Sequence, residues 1–109
     1  MKFDTKIIML FNEFRKLDAD MTIHQAVCFM YVVKYNGITM KELADRIGIA
    51  QSSTSRNVAA LSKWHRLGKE GLDLVEAIED PAERRKKRVS LTPKGKLMAE
   101  QLRSIVEEG

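Results

Sequence analysis

Two helix signals separated by a short turn are the feature that most restricts what this chain can fold into. Thr39-Met40-Lys41-Glu42 has the spacing of a capping box and predicts the start of one helix. Gly48 ends it, because glycine readily adopts the left-handed backbone of a helix terminus. Another helix begins three residues later and runs to about His65. Two short helices joined in this way predict a helix-turn-helix unit over residues 39–66.

Amphipathic helices are predicted before this unit. Between Asp4 and Leu17 apolar residues recur at three- and four-residue steps, which predicts a helix with a broad apolar face. A further capping box, Thr22 to Gln25, begins a helix that Asn36-Gly37 closes and that is apolar nearly all round. We expect it to be the central helix of the core, with this buried stripe: Ile23, Ala26, Val27, Met30 and Val33.

The hydrophobic period changes after Gly71. Residues 72–79 alternate imperfectly between apolar and polar side chains and predict a strand, and Asp80-Pro81 starts a turn. Residues 87–91 predict the returning strand. The result is a hairpin, or wing, over residues 72–91.

A last helix begins at Thr92-Pro93 and spans residues 93–107, since proline suits the first helical position. The order of elements predicts one domain over residues 1–109, mainly α with a small β-hairpin wing (α+β), in a winged helix-turn-helix arrangement. With 44% hydrophobic and 31% charged residues, the chain can bury a core and is unlike a disordered protein. Its one cysteine, Cys28, excludes an internal disulfide and is predicted to be a buried small hydrophobe.

Other classes of protein are excluded by what the sequence lacks. No apolar run approaches the roughly 20 residues that span a bilayer, and the N-terminus lacks a signal peptide, so we expect a cytoplasmic protein with no membrane partner. His24 and His65 have no partners at metal-ligand spacing, and no phosphate-binding loop or catalytic carboxylate pair is present. We therefore expect no metal, no cofactor and no enzymatic activity.

Positive charge is concentrated in one part of the chain. The net charge is +4, and residues 51–92 carry nine basic and six acidic side chains. Much of the excess lies in Arg84-Arg85-Lys86-Lys87-Arg88, at the tip of the predicted wing. A localised basic block favours nucleic acid as a partner, and a solvated loop tip is the alternative.

The chain resembles the MarR family of bacterial transcriptional regulators over roughly residues 22 to 100. The stretches that carry the resemblance are Thr39-Met40-Lys41-Glu42-Leu43-Ala44-Asp45-Arg46-Ile47-Gly48-Ile49, Ser53-Thr54-Ser55-Arg56-Asn57-Val58 with Leu61, Asp80-Pro81-Ala82-Glu83-Arg84-Arg85 and Arg88-Val89-Ser90-Leu91-Thr92-Pro93-Lys94-Gly95. The last two, which match the family's wing and the entry to its following helix, are the more specific. The resemblance implies sequence-specific binding of double-stranded DNA by a transcriptional regulator, most simply a repressor.

The sequence departs from the family pattern in four places. Ala50 stands where the family has a serine or threonine as N-cap of the recognition helix, the second helix of the helix-turn-helix unit. That helix therefore either starts near Ser52 or lacks roughly 1 kcal/mol of capping. Glu83 replaces the usual aspartate of the wing turn. The stretch before the wing turn is several residues longer and adds Trp64, a predicted packing residue. The chain also looks like a short form that lacks the usual last C-terminal helix.

The predicted DNA contacts lie on the recognition helix and the wing. If Thr54 faces the core, a rotation of about 100° per residue turns Arg56 outward, where it can pair with a guanine in the major groove. The resemblance places Arg85 at the wing position that reaches the minor groove or its phosphates. Since strand residues alternate, at most about half of the basic block meets one duplex. The predicted contacts are Gln51, Ser52, Ser53, Ser55, Arg56, Lys63, Arg84, Arg85, Lys86, Lys87 and Arg88.

This interpretation requires that nearby carboxylates face away from DNA, namely Glu70, Asp73, Glu76, Glu79 and Asp80. It also favours a homodimer, because apolar residues of the first and last helices exceed the needs of one core. The expected seam comprises Ile7, Ile8, Phe11, Phe14, Leu97, Leu102, Ile105 and Val106, unless both helices simply close one monomeric core. A small-molecule effector is not indicated by any motif. The alternative functions are a winged-helix module for protein–protein interaction and, more weakly, an architectural or single-strand binder.

Overall fold

A computed structural model describes residues 2–63 and 70–108 of the chain. Within these residues the chain forms five helices and a three-stranded antiparallel sheet. The elements are α1 (Phe3–Leu17), α2 (Ile23–Lys34), β1 (Ile38–Thr39), α3 (Met40–Ile47), α4 (Gln51–Leu61), β2 (Val75–Glu79), β3 (Lys87–Leu91) and α5 (Pro93–Glu107). This arrangement confirms the predicted winged helix-turn-helix fold.

Local capping signals set most of the helix starts. Thr22 and Gln25 form the full capping box, each side chain accepting a hydrogen bond from the other's backbone N–H at 3.1 Å. Thr39 accepts from the N–H of Glu42 at 3.2 Å, without the return bond that a capping box would add. Thr92 accepts from the Gly95 N–H at 3.0 Å, just before Pro93. Three of the four helices that follow α1 therefore have a threonine as their N-cap residue.

The recognition helix, α4, begins where predicted and ends earlier. It starts at Gln51, with Ala50 as its N-cap and no side-chain cap bond, so of the two expectations for Ala50 the missing cap is the one that holds. It ends at Leu61, earlier than the predicted end near His65, a residue that lies outside the described ranges. The reason is that the N–H groups of Leu72 and Leu74 bond to the last α4 carbonyls. Those carbonyls are no longer available to continue the helix.

The same segment delays the first strand of the wing. β2 begins at Val75, not at residue 72 as predicted, because Asp73 adopts a left-handed backbone with φ of 56°. At Gly71 a Cβ atom would lie 1.9 Å from the carbonyl oxygen of Ser62, so only glycine permits this close approach. β3 has the predicted bounds and pairs with β2 along its length. The two-residue strand β1, which pairs with the other side of β3, was not predicted because it is too short to show a pattern.

The core is built around α2, as predicted, but through a different stripe of that helix. Its buried residues are Ala26, Cys28, Phe29 and Val32. Three members of the predicted stripe, Ile23, Val27 and Met30, are instead exposed. Cys28 is fully buried, and burial raises the pKa of its thiol to about 12. The cysteine is therefore a neutral packing residue, as predicted.

Candidate nucleic-acid interface

The recognition helix α4 has one buried and one exposed face. Thr54, Val58 and Leu61 are buried, which confirms the predicted helical wheel. The Thr54 hydroxyl donates to the carbonyl of Ala50 at 3.1 Å, so its polar group is satisfied inside the protein. The outward side chains at the start of the helix are small or flexible: Gln51, Ser52, Ser55 and Arg56 are exposed and Ser53 is half-buried. Lys63 is exposed just beyond the helix end.

The N-terminus of α4 also presents backbone donors. Since Ala50 has no side-chain oxygen, the described residues provide no side-chain cap for the first turn. First-turn N–H groups of a helix have no intrahelical partner, and the helix dipole makes this end attractive to anions. The exposed start of α4 therefore combines amide and hydroxyl donors with the guanidinium of Arg56.

The register of the sheet separates neighbouring side chains of the basic block. Lys87 pairs with Glu79 and Val89 pairs with Ala77, so Lys87 lies on the same sheet face as the buried Val89. Arg88 lies on the opposite face. Lys87 and Arg88, the two residues of the basic block that lie in a strand, therefore point to opposite faces of the sheet, as the alternation of strand residues predicts.

The wing tip and the helix-turn-helix unit meet at a cleft of about 350 Å³. Its lining residues come from α3, α4 and the wing: Met40, Lys41, Gln51, Ser55, Arg85, Lys86 and Lys87. Four of these side chains are cationic, and the described lining contains no carboxylate. We call this site the basic cleft. It brings together five predicted DNA-contacting residues from two segments, residues 51–55 and 85–87, which are thirty or more positions apart in the sequence.

Lys41 is the member of the basic cleft that the sequence analysis missed. It is exposed at the second position of α3, inside the motif that predicted the helix start. Helical periodicity could place this lysine on the outer face of α3. It could not show that the wing tip crosses the same place, because that contact depends on tertiary structure.

A second depression, of about 410 Å³, continues along α4 toward its C-terminal end. Here Lys63 lies beside Asp73 and Glu76, with Lys87 at the side shared with the wing. Two of the carboxylates expected to face away from DNA, Asp73 and Glu76, therefore line the same depression as the end of α4. The charge near α4 changes from cationic at its start to mixed at its end.

The remaining wing residues differ in how they are held. Arg84 is exposed, and Lys86 forms an exposed ion pair with Glu83 at 3.2 Å. Arg88 is bonded within the protein, since its Nε donates to Asp80 Oδ2 at 2.8 Å. The hydrogen bond from the Ala82 N–H, followed in size by the hydrogen bond from the Arg88 side chain, holds the pKa of the Asp80 carboxyl below its usual 3.8. Glu70 and Glu79 are exposed.

An apolar surface lies away from the basic cleft, on α1, α2 and α5. We call it the apolar face; its exposed residues are Ile7, Ile8, Phe11, Ile23, Val27, Met30 and Val106. Two grooves, of about 470 and 420 Å³, follow it and share Phe11, Phe14 and Met30. The predicted seam is thus divided: Leu102 is buried and Phe14 packs on the core, whereas Ile8 and Phe11 are more than half exposed.

The described residues contain no group of three His, Cys, Asp or Glu side chains that could hold a metal ion. Among the helices in the described ranges, none is both long and apolar enough to cross a membrane. Trp64, the predicted packing residue, lies outside those ranges.

Comparison with solved structures identifies the fold. A MarR transcriptional regulator from Methanosarcina mazei Go1 superposes with a TM-score of 0.71 at 24% identity, covering 93% of this chain and 66% of that one. RV1404 from Mycobacterium tuberculosis gives 0.71 at 22% identity, with 91% and 62% covered. MepR of S. aureus, solved as a DNA complex, gives 0.72 at 20% identity, with 96% and 76% covered.

These similarities establish that the chain has the fold of MarR-family regulators, as the resemblance predicted. The chain spans just under two thirds of the Methanosarcina and Mycobacterium proteins. No protein-family profile and no curated protein sequence matches it.

Proposed function

We propose that the chain binds double-stranded DNA sequence-specifically as a transcriptional regulator, and that it represses by occluding a promoter. The basic cleft is the observation that carries this proposal, because it joins the exposed start of α4 to the wing tip. A fold shared with a protein solved in complex with DNA supports it. Such a regulator would act in the cytoplasm, without a cofactor or catalytic group.

In this proposal the start of α4 enters the major groove. Arg56 reads base edges, since a guanidinium can donate two hydrogen bonds to one guanine. Gln51, Ser52, Ser53 and Ser55 surround it, and their short or flexible side chains allow the helix to approach the groove floor. The first-turn amides of α4 add contacts to phosphate.

The wing tip would lie along the adjacent backbone and minor groove. Arg84, Arg85, Lys86 and Lys87 supply positive charge there, and Lys41 adds a phosphate contact from α3. Lys63 would contribute less, because Asp73 and Glu76 flank it. Phosphate contacts set affinity and its salt dependence, whereas the side chains of α4 set sequence preference.

We further propose that a second copy of the chain covers the apolar face. Contiguous apolar surface is uncommon on a monomer and is typical of an interaction site. A two-fold dimer would present two recognition helices to successive turns of a pseudo-palindromic site, about 34 Å apart. The dimer also explains why α1, which has no fully buried residue, is rich in large apolar side chains.

The first test is to incubate the protein with fragmented duplex DNA from its host at about 0.15 M salt and to sequence what it retains. We expect an inverted repeat with half-sites about one helical turn apart. Retention without a motif would overturn sequence specificity and favour an architectural role. No retention would overturn DNA binding and favour the protein-interaction module, for which the apolar face would be the docking surface.

A charge reversal on the recognition helix tests the same proposal more sharply. Arg56→Glu should abolish binding to the recovered site, because it places a carboxylate against base edges and phosphates. Arg15→Glu on α1 makes the same charge change at an exposed residue outside the basic cleft and both apolar grooves, and should bind as the parent does. Equal losses in the two variants would indicate a nonspecific effect of net charge.

A further inference from the structure

A continuous set of hydrogen bonds joins the wing to the segment that precedes α3. Arg88 Nε donates to Asp80 Oδ2 at 2.8 Å, and Arg88 Nη1 donates to the carbonyl of Gly37 at 3.0 Å. The second carboxylate oxygen, Asp80 Oδ1, accepts from the Ala82 N–H at 2.8 Å. We call Asp80, Arg88 and Gly37 the wing brace.

Each end of the wing brace is fixed by backbone bonds. At the wing, the Asp80 N–H donates to the Lys86 carbonyl at 2.8 Å, which closes the loop that carries the basic residues. At the other end, the Gly37 N–H donates to the Val89 carbonyl at 2.9 Å, immediately before β1 and α3. The Asp80 carboxylate therefore holds the loop of the wing together. Through Arg88 it also fixes the wing against the helix-turn-helix unit.

The position of Asp80 is electrostatically unfavourable for a simple DNA-binding surface. It is a carboxylate at the base of a cationic wing, where its charge repels phosphate. Its side chain is nevertheless almost buried, with the residue 9% exposed, and both oxygens are bonded. A group that opposes the charge of its surroundings and is held this firmly has a role in geometry rather than in attraction.

We propose that Asp80 and Arg88 are positioning residues that hold the wing tip over the basic cleft, and that Arg88 acts through Asp80 and Gly37 rather than on DNA. This inference rests on the proposed binding of duplex DNA. It reassigns one of the eleven predicted contacts, because both bonded nitrogens of Arg88 point to protein acceptors. The wing then delivers Arg85, Lys86 and Lys87 to the duplex at a fixed angle.

Asp80→Asn separates a positioning role from simple electrostatics, because the two explanations predict opposite changes in DNA affinity. Removing a negative charge near DNA should strengthen binding if only the field matters. If the wing brace matters, loss of the charged hydrogen bond to Arg88 should weaken DNA binding about tenfold. The plot of log K against log salt concentration should also become less steep, because contacts between the wing and phosphates are lost. Glu79→Gln is the matched control: it removes one charge from an exposed β2 carboxylate and should bind as tightly as the parent or more tightly.

Arg88→Lys supplies the second variant. It keeps the positive charge but cannot bridge the Asp80 carboxylate and the Gly37 carbonyl with one planar group, so it should weaken binding as Asp80→Asn does. A phosphate contact made by Arg88 itself would instead be largely preserved by lysine. Parent-like affinity of Arg88→Lys would therefore overturn the proposal.

A measurement without DNA tests the geometry directly. Spin labels on Glu83→Cys in the wing and Asp45→Cys in α3 report the distance between these exposed sites. Cys28 stays unlabelled because it is fully buried. We expect one narrow distance distribution in the parent and a broad one in Asp80→Asn and in Arg88→Lys; if either fails to fold, the other decides.

The outcomes distinguish this inference from the proposed function. Unchanged distances in the variants would overturn the wing brace, whatever their DNA affinity. Broadened distances together with parent-like or tighter DNA binding would also overturn it as a device for binding. If the parent retains no duplex DNA, the proposed function fails, while the label distances still show whether the pair holds the wing.

Discussion

The apolar face and the basic cleft are surfaces of one small domain that are held in place by different means. α4 buries three residues in the core, and its exposed residues meet a wing whose loop is closed by several hydrogen bonds. α1 has no fully buried residue and exposes Ile8 and Phe11 to more than half of their area. One surface is positioned by the protein's own core, whereas the described part of the chain leaves the other uncovered.

This difference shows which surface can function within a single chain. Reading DNA would require side chains held within about 0.5 Å of the productive geometry, and the residues that α4 buries in the core fix the helix that carries them. The apolar face gains free energy only when another surface covers it. In the proposed dimer its role is to bring two DNA-reading units together, so changes to the two surfaces should have separate effects.

The largest effect should come from Phe14, which together with Leu10 and Leu17 packs α1 against the core. Its ring lies edge-on to Phe29 with centroids 6.2 Å apart. Phe14→Ala should lower the free energy of unfolding by about 3 kcal/mol already in dilute solution, because its ring packs on the core of the single chain. Phe11→Ala is the matched variant on the apolar face; its cost should be small in dilute solution and should grow with concentration, as the dimer forms. Equal costs in urea unfolding at all concentrations would contradict this division of α1.

The next effect concerns the apolar face itself. Ile8→Glu combined with Phe11→Glu should leave a folded monomer, seen by light scattering, and weaken binding to the two-half-site operator about 100-fold, because avidity is lost. The control, Thr5→Glu with Ala19→Glu, adds the same charges at exposed positions outside both grooves and should remain dimeric. A dimeric Ile8/Phe11 variant would place the dimer contact elsewhere.

Features fixed by neighbouring residues were predicted well from the sequence. Thr22 with Gln25 and Thr92 with Pro93 gave the starts of α2 and α5, since each signal acts within one helical turn. The bounds of β3 were also correct. In each case the cause lies within a few residues of its effect.

Features that depend on distant contacts were missed. α4 ends early because residues 72 and 74 bond to its carbonyls, and Lys41 joins the basic cleft because the wing crosses α3. The apolar stripe of α2 was assigned to the core, yet Ile23 and Met30 are exposed. Periodicity identifies an apolar face, but only packing decides whether this chain or another one covers it.

A smaller effect tests whether the basic cleft extends to α3. Lys41→Gln should weaken binding about threefold and reduce the slope of log K against log salt by about 0.9, the value for one lost phosphate contact. Sequence preference should not change, because phosphates carry no base information. Lys96→Gln, an exposed lysine of α5 outside the basic cleft, should leave the slope unchanged. An unchanged slope for Lys41→Gln would remove α3 from the interface.

The smallest effect on DNA binding should come from Ala50, whose substitution acts on backbone groups used both for stability and for binding. Ala50 already has the extended backbone of an N-cap, with φ of −60° and ψ of 148°. Ala50→Ser should therefore raise the free energy of unfolding by about 1 kcal/mol, because its hydroxyl accepts a first-turn N–H. Ala50→Gly, which adds no acceptor, is the control. The capped variant should bind DNA no more tightly than the parent despite its greater stability, since the hydroxyl occupies an amide that would otherwise meet phosphate. Tighter binding by Ala50→Ser would show that helix stability, rather than free amides, limits the affinity of the basic cleft.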